Sequence, residues 1–193
     1  MLDDCKSKGT SVINTRKYLI HKMGEEKFNE LADEVGLPPK VVSSSWIKIE
    51  TVYQLHVLAA KELKTTPRDL GYASAAYTLV EDLNGIYKLF MRGAGVVSVL
   101  AKSPRMLKSY SNYSEAEMLQ NDFGFVRVKY TFNEEFKSHL DVLDFILGSF
   151  SGGADGILHV CKYKMDSWTL IEENFDPTEP GCTAIAECKY SRI

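Results

Sequence analysis

In the stretch SVINTRKYLIHKMGEEKFNELADEVG, apolar Val12, Tyr18, Leu19, Met23, Phe28, Leu31 and Val35 recur at helical spacing. They predict two short helices joined near Gly24 and stopped by Leu37-Pro38-Pro39-Lys40. The hydroxyls of Ser43, Ser44 and Ser45 are placed to cap the next helix, IETVYQLHVLAAKELK, which carries Val52, Leu55, Ala59 and Leu63 on one side. A further helix starts with a stronger signal: Thr66 as N-cap, Pro67 at the first helical position and Asp69 at the third, with a stop expected at Gly85. The segment IYKLFMRGAGVVSVLAKSPRMLKSY reads as two short helical pieces broken at Gly93 and Gly95, with a further bend at Pro104.

From Ser111 the period changes. EMLQND and GFVRVKYTF predict a hairpin turning at residues 122–124, with Phe125, Arg127 and Lys129 alternating against Val126, Val128 and Tyr130. A long helix follows, apolar at Phe136, Leu140, Leu143, Ile146, Leu147 and Phe150, and expected to end at Gly152 and Gly153. ILHVCKYKM, WTLIEENF and CTAIAECKY then read as strands. The pattern predicts an α+β fold: a helical N-terminal half packed on a C-terminal antiparallel sheet with one long covering helix. We expect a single domain, residues 1–193, with a flexible lead-in at 1–10, a helical half at 11–110, and the sheet with its helix at 111–193.

Composition narrows the partners. A chain of 193 residues with 45% hydrophobic content can build a buried core, and its formal charge of only -3 gives no field to draw in a nucleic acid or an acidic membrane surface. No nucleic-acid partner is expected. Apolar runs stay well short of the roughly 20 residues that span a bilayer, and the start MLDDCKSKGT lacks the apolar core of a signal peptide. The expectation is a cytoplasmic protein without a membrane span, its cysteines, 4 in number, held as reduced thiols.

Candidate chemistry is sparse. Gly93-Ala94-Gly95 follows a helical pattern rather than a buried strand, so it reads as a corner between helices and not as a phosphate loop. His56 and His139 sit among apolar neighbours, where each could face a cavity or be satisfied within the core. His159 and Cys161 alternate onto one face of an expected strand, and Cys182 and Cys188 share a face of another. These four are candidate ligands for a mixed thiolate and imidazole metal site, although the spacing is no zinc signature. Paired carboxylates such as Glu25-Glu26, Glu134-Glu135 and Glu172-Glu173 fall at helix starts or turns, and no nucleophile motif is present. Tyr53, Tyr72, Tyr77, Tyr87, Phe90, Tyr110 and Tyr113 concentrate in the helical half, a composition equally suited to an apolar ligand pocket and to an ordinary core.

The run SSSWIKIETVYQLHVLAA, followed by LGYASAAYTLVEDLNGIYKLFMRGAGVVSVLAKSPRMLKSYSNY, resembles a paralogous family of uncharacterised myxobacterial proteins. The resemblance rests on Ser-Ser-Trp before a helix, Gly-Ile-Tyr-Lys-Leu-Phe, and Ser-Pro-Arg-Met leading to tyrosines. That family looks related to haem nitric-oxide and oxygen binding (H-NOX) domains, 4-vinyl reductase domains and vesicle-tethering-complex subunits. The haem-binding relatives use a histidine on the helix before the hairpin and a Tyr-x-Ser-x-Arg clamp for the propionates. Here residues 96–113 contain no histidine, and in the clamp region Tyr130 keeps the tyrosine while Phe132 and Glu134 replace the serine and the arginine. A glutamate repels the carboxylate that an arginine would hold, so the resemblance with this departure implies no cofactor, haem included. Cys182 and Cys188 match the second part of the cysteine-rich segment of the vinyl reductase relatives, but its earlier cysteine is not matched.

These readings together imply a non-enzymatic bacterial sensory or adaptor domain that binds a small apolar or lipid-like ligand, a protein partner, or a second copy of itself. The expected pocket comprises Tyr53, His56, Tyr77, Tyr87, Phe90, Met106, Tyr110, Tyr130 and Phe132, with Arg92, Arg105 and Lys108 at its rim. Two alternatives stay open: a haem-based gas sensor using His56 or His139, and a pure protein-interaction scaffold.

Overall fold

A computed structural model describes residues 2–83 and 93–193, so the expected helix stop at Gly85 and the positions Tyr87, Phe90 and Arg92 lie outside the described residues. The helical half contains β1 (Lys6–Lys8), α1 (Gly9–Met23), α2 (Glu25–Glu34), β2 (Trp46–Lys48), α3 (Ile49–Leu63), α4 (Pro67–Asp82), α5 (Val96–Leu100) and α6 (Ser103–Tyr110). It is followed by β3 (Ser114–Asp122), β4 (Phe125–Phe132), a 3-10 turn (Glu134–Ser138), α7 (Leu140–Val160), β5 (Tyr163–Asn174) and β6 (Cys182–Arg192). The α+β class is as the sequence pattern predicts.

Local chemistry accounts for most boundaries. Gly24 joins α1 to α2. Thr66 Oγ1 accepts from the Asp69 backbone N–H at 3.1 Å and Pro67 opens α4, which is the N-terminal arrangement read from the residues. The break before α5 falls at Gly95, whose φ of 77° is costly for any residue with a Cβ. Pro104 starts α6 within its first turn instead of bending it, because a missing N–H costs nothing there.

Three expectations are corrected. The lead-in is not loose: Leu2 and Cys5 are fully buried, and β1 pairs antiparallel with β2. Ser43, Ser44 and Ser45 shape the approach to β2 and do not cap α3, whose N-cap is Lys48; the Ser45 carbonyl accepts from Gly9 N–H at 2.8 Å. The third concerns the long helix, which passes straight through Gly152 and Gly153 and continues to Val160, so ILHV is helix and not strand. The glycines of α7 serve contact with α4. A Cβ on Gly152 would collide with the Tyr72 carbonyl, one on Gly148 would stand 2.5 Å from the Arg68 carbonyl, and one on Gly156 would stand 2.8 Å from that of Ala76. Every fourth residue of α7 is thus bare where α4 crosses it, and the backbones approach closely. The same pair is tied by the Arg68–Asp144 ion pair and by Tyr72 Oη, which donates to Asp155 Oδ2 at 2.7 Å.

The sheet is antiparallel in the order β3-β4-β6-β5. Val126, Val128, Tyr130 and Phe132 of β4 stand opposite Cys188, Ala186, Ala184 and Cys182 of β6, all of them buried on the face turned to the helices. The other face carries the cross-strand ion pair of Arg127 and Glu187. Two apolar clusters fill the interior. One joins Leu19, Phe28, Leu55, Leu143 and Ile146 to Phe132 and Ala184; the other joins Leu79, Val99 and Leu100 to Val126, Leu158 and Tyr190.

Candidate functional site

A cavity of about 160 Å³ lies where the two clusters meet, between α4, α6, α7 and the buried sheet face. It exists because small residues coincide on facing walls: Ala75 of α4, Ala116 of β3, Gly153 and Ala154 of α7, and Ala186 of β6. Larger apolar side chains close it, among them Leu100, Met106, Met118, Phe150, Ile157 and Trp168. Tyr130 and Phe150 meet with ring centroids 4.9 Å apart on one wall.

Most polar atoms around the cavity are already engaged. Ser103 Oγ donates to the Leu100 carbonyl at 2.8 Å, Ser149 Oγ to the Phe145 carbonyl at 3.1 Å, and Ser111 Oγ pairs with Ser114 Oγ at 3.1 Å. Tyr110 Oη donates to Asp82 Oδ2 at 2.6 Å, while Asn14 Nδ2 donates to Asp82 Oδ1 at 2.6 Å, so one carboxylate ties α1, α4 and α6 together beside the cavity. Besides half-buried Ser11, two buried hydroxyls of the lining stand apart. Thr78 Oγ1 is buried without a hydrogen-bond partner, and Tyr130 Oη makes no hydrogen bond among the described residues. Burial pushes the Tyr130 phenol upward, which keeps it a neutral O–H.

Of the expected pocket residues, Met106, Tyr110 and Tyr130 line this cavity. Tyr53 and His56 do not: both pack on Phe145, Tyr53 with centroids 5.7 Å apart and His56 at 4.6 Å. His56 Nδ1 donates to the Val52 carbonyl at 2.7 Å. Nε2, 3.1 Å from Ser74 Oγ, is therefore left as the acceptor of the neutral ring, and burial pushes its pKa down to about 4. Tyr77 contacts Tyr18 at 5.6 Å instead. Phe132 lies beside the cavity, stacked on Phe150 at 6.0 Å. Glu134 turns away from the interior, accepting from Gly181 N–H at 2.6 Å. Among the rim residues, Arg105 is exposed, and exposed Lys108 pairs with Glu115 at 2.8 Å on the outer side of α6. Neither lines the cavity.

The metal candidates are not brought together. His159 is exposed on the last turn of α7, Cys161 is buried just beyond it, and Cys182 and Cys188 are separate buried positions of β6. Among the described residues no group of three or more His, Cys, Asp and Glu side chains is placed to hold a metal ion. Thr78, Trp168 and the small residues that open the cavity went unread in the sequence, because nothing local separates an alanine that leaves space from one that is packed over.

The side chains that line the cavity decide what a haem would find there. Among the described lining residues there is no histidine and no arginine or lysine. The atoms able to reach an iron are the thioethers of Met106 and Met118, the thiol of Cys188 and the tyrosine hydroxyls. Burial pushes Cys188 up to about 12, so it is a thiol rather than a thiolate, which leaves the thioethers as the donors that need no deprotonation.

No protein-family model matches the chain, and no curated protein matches it. Solved structures do. An oxygen-binding H-NOX domain related to soluble guanylate cyclases, in its oxygen complex, aligns with a TM-score of 0.69 at 14% identity, over 96% of this chain and 95% of that one. The Fe(II) unliganded H-NOX protein mutant A71G from K. algicida aligns at 0.68 and 12% identity, over 96% and 97%. A structure described under haem redox potential and protein-induced porphyrin distortion aligns at 0.68 and 15% identity, over 94% and 99%. These likenesses overturn the expectation that no cofactor is involved, since the proteins sharing the fold are described with haem and with oxygen. At this level of identity the comparison establishes architecture: the chain has an H-NOX-like α+β fold.

Proposed function

We propose that the chain is a non-enzymatic sensor domain whose helix–sheet cavity receives an apolar ligand, the bound state being read by a partner protein or a second copy. The observation that carries this reading is the cavity itself, a partly open, largely apolar space at the junction of the two halves of the fold. A protein kept only as a scaffold gains stability by filling such a space, because each buried void forfeits packing contacts. The coarse sensor reading is supported by the fold shared with H-NOX domains.

Haem is the cofactor to which that fold points. In this chain Met106 and Met118 are the lining donors that would hold the iron; a space of about 160 Å³ takes a single ring, so a porphyrin would enter only with the walls moved apart. A bound haem would supply an iron able to take up a diatomic gas. Burial keeps the phenol of Tyr130 protonated beside the space.

Haemin addition to the purified full chain, followed by absorption spectroscopy and native mass spectrometry, tests the proposal. A 1:1 complex with a shifted Soret band that Met106→Ala or Met118→Ala alters supports a haem-based sensor. A co-purifying apolar molecule of other mass supports the sensor reading with a different ligand. A chain that binds neither haemin nor any small apolar compound overturns it.

A further inference from the structure

We propose that the cavity selects a neutral single-ring compound bearing a hydroxyl or carbonyl group, held between Thr78 Oγ1 of α4 and Tyr130 Oη of β4. This inference rests on the reading of the cavity as the ligand site and goes on to name its ligand class. Size sets the first limit. At about 160 Å³ the space is close to the roughly 150 Å³ engineered cavity that takes up benzene. The walls suit a ring, since Tyr130, Phe150 and Trp168 present aromatic faces.

Charge sets the second limit. The described lining residues include no lysine, arginine, histidine, aspartate or glutamate. An ionised ligand would lose its hydration there and gain no counter-charge.

The third limit comes from the two hydroxyls. A buried hydroxyl without a partner is uncommon, because it has given up water for nothing. Thr78, 2% exposed, has given it up, and the hydroxyls of Ser103, Ser111 and Ser149 around it are all spent on their own neighbours. Thr78 stands on the helical wall and Tyr130 on the sheet wall, so the polar group of one ligand would bridge the two halves of the fold. A hydroxyl group can donate to one and accept from the other; a carbonyl can accept from both.

The test uses the full chain carrying Trp46→Phe, which leaves Trp168 in the cavity wall as the fluorescent reporter, the sequence having only 2 tryptophans. Toluene, 4-methylphenol and 4-methylbenzoate are titrated in parallel. We expect 4-methylphenol to bind at least as tightly as toluene despite its better hydration, and 4-methylbenzoate not to bind. Thr78→Val, nearly isosteric, then weakens 4-methylphenol about tenfold and leaves toluene unchanged; Tyr130→Phe acts in the same direction. Ala154→Leu, which fills the space, abolishes binding of both. Equal effects of Thr78→Val on toluene and 4-methylphenol, or binding of the benzoate, overturn the ligand class. If haemin binds and no ring compound does, the sensor reading stands and this inference falls; if nothing binds, both fall.

Discussion

Ser74 Oγ on α4 lies 3.1 Å from Nε2 of His56 on α3, its one proton shared between that nitrogen and the Gly71 carbonyl at 3.2 Å, and the contact accompanies a neutral imidazole in the protein interior. Burial lowers the folded-state pKa of His56 to about 4 from an ordinary 6.5. Between those values the unfolded chain takes up a proton that the folded one refuses, so stability falls as pH drops from about 6.5 toward 4 and levels below that. The loss should reach on the order of 3 kcal/mol. Urea unfolding at a series of pH values should show this slope, and His56→Gln should flatten it while lowering stability at neutral pH.

Gly152 and Gly153 are adjacent in α7 and should respond oppositely to alanine. A methyl at Gly152 meets the Tyr72 carbonyl, whereas one at Gly153 finds its nearest neighbour, Leu79, at 3.9 Å. Gly152→Ala should therefore destabilise by about 2 kcal/mol or more through overpacking of α4 against α7. Gly153→Ala should stabilise by about 0.5–1 kcal/mol through helix propensity. Thermal unfolding of the two variants decides the matter; a shared sign would remove the close-contact explanation of the glycine stripe.

Asp82 gathers Asn14 and Tyr110 into one half-buried node, in which Asn14 is only 3% exposed. Asp82→Ala leaves the Asn14 amide without its acceptor and should cost about 1–3 kcal/mol. Tyr110→Phe removes a single bond to a carboxylate that keeps its other partner, and should cost less, about 1 kcal/mol. Denaturant unfolding that ranks Tyr110→Phe as the more damaging change would contradict this hierarchy.

The N-cap of α4 offers a control remote from the cavity. Thr66→Ala removes the acceptor for the Asp69 N–H and should lower stability by about 1 kcal/mol. Ligand affinity measured through Trp168 should stay unchanged, which separates general loosening of α4 from effects at Thr78.

Thr66, Pro67 and Asp69 announce α4 from four residues of chain, and the alternation from Val126 to Phe132 announces β4, because caps and pleats act over neighbours in sequence. The α+β class follows from such local signals alone. Gly152 shows where they end: a glycine read along the chain is a helix stop, and only the carbonyl of Tyr72 arriving from α4 makes it a point of contact. The same holds for His159 and Cys161, whose expected shared face vanishes once α7 is extended by its packing. His56 and Tyr53 have the composition of pocket residues, yet Phe145 stands against both, and no local rule states which aromatic is covered. The cavity belongs wholly to the tertiary structure. Ala75, Ala116, Ala154 and Ala186 come from four different elements, and a void is a property of facing walls, which no single stretch of sequence contains.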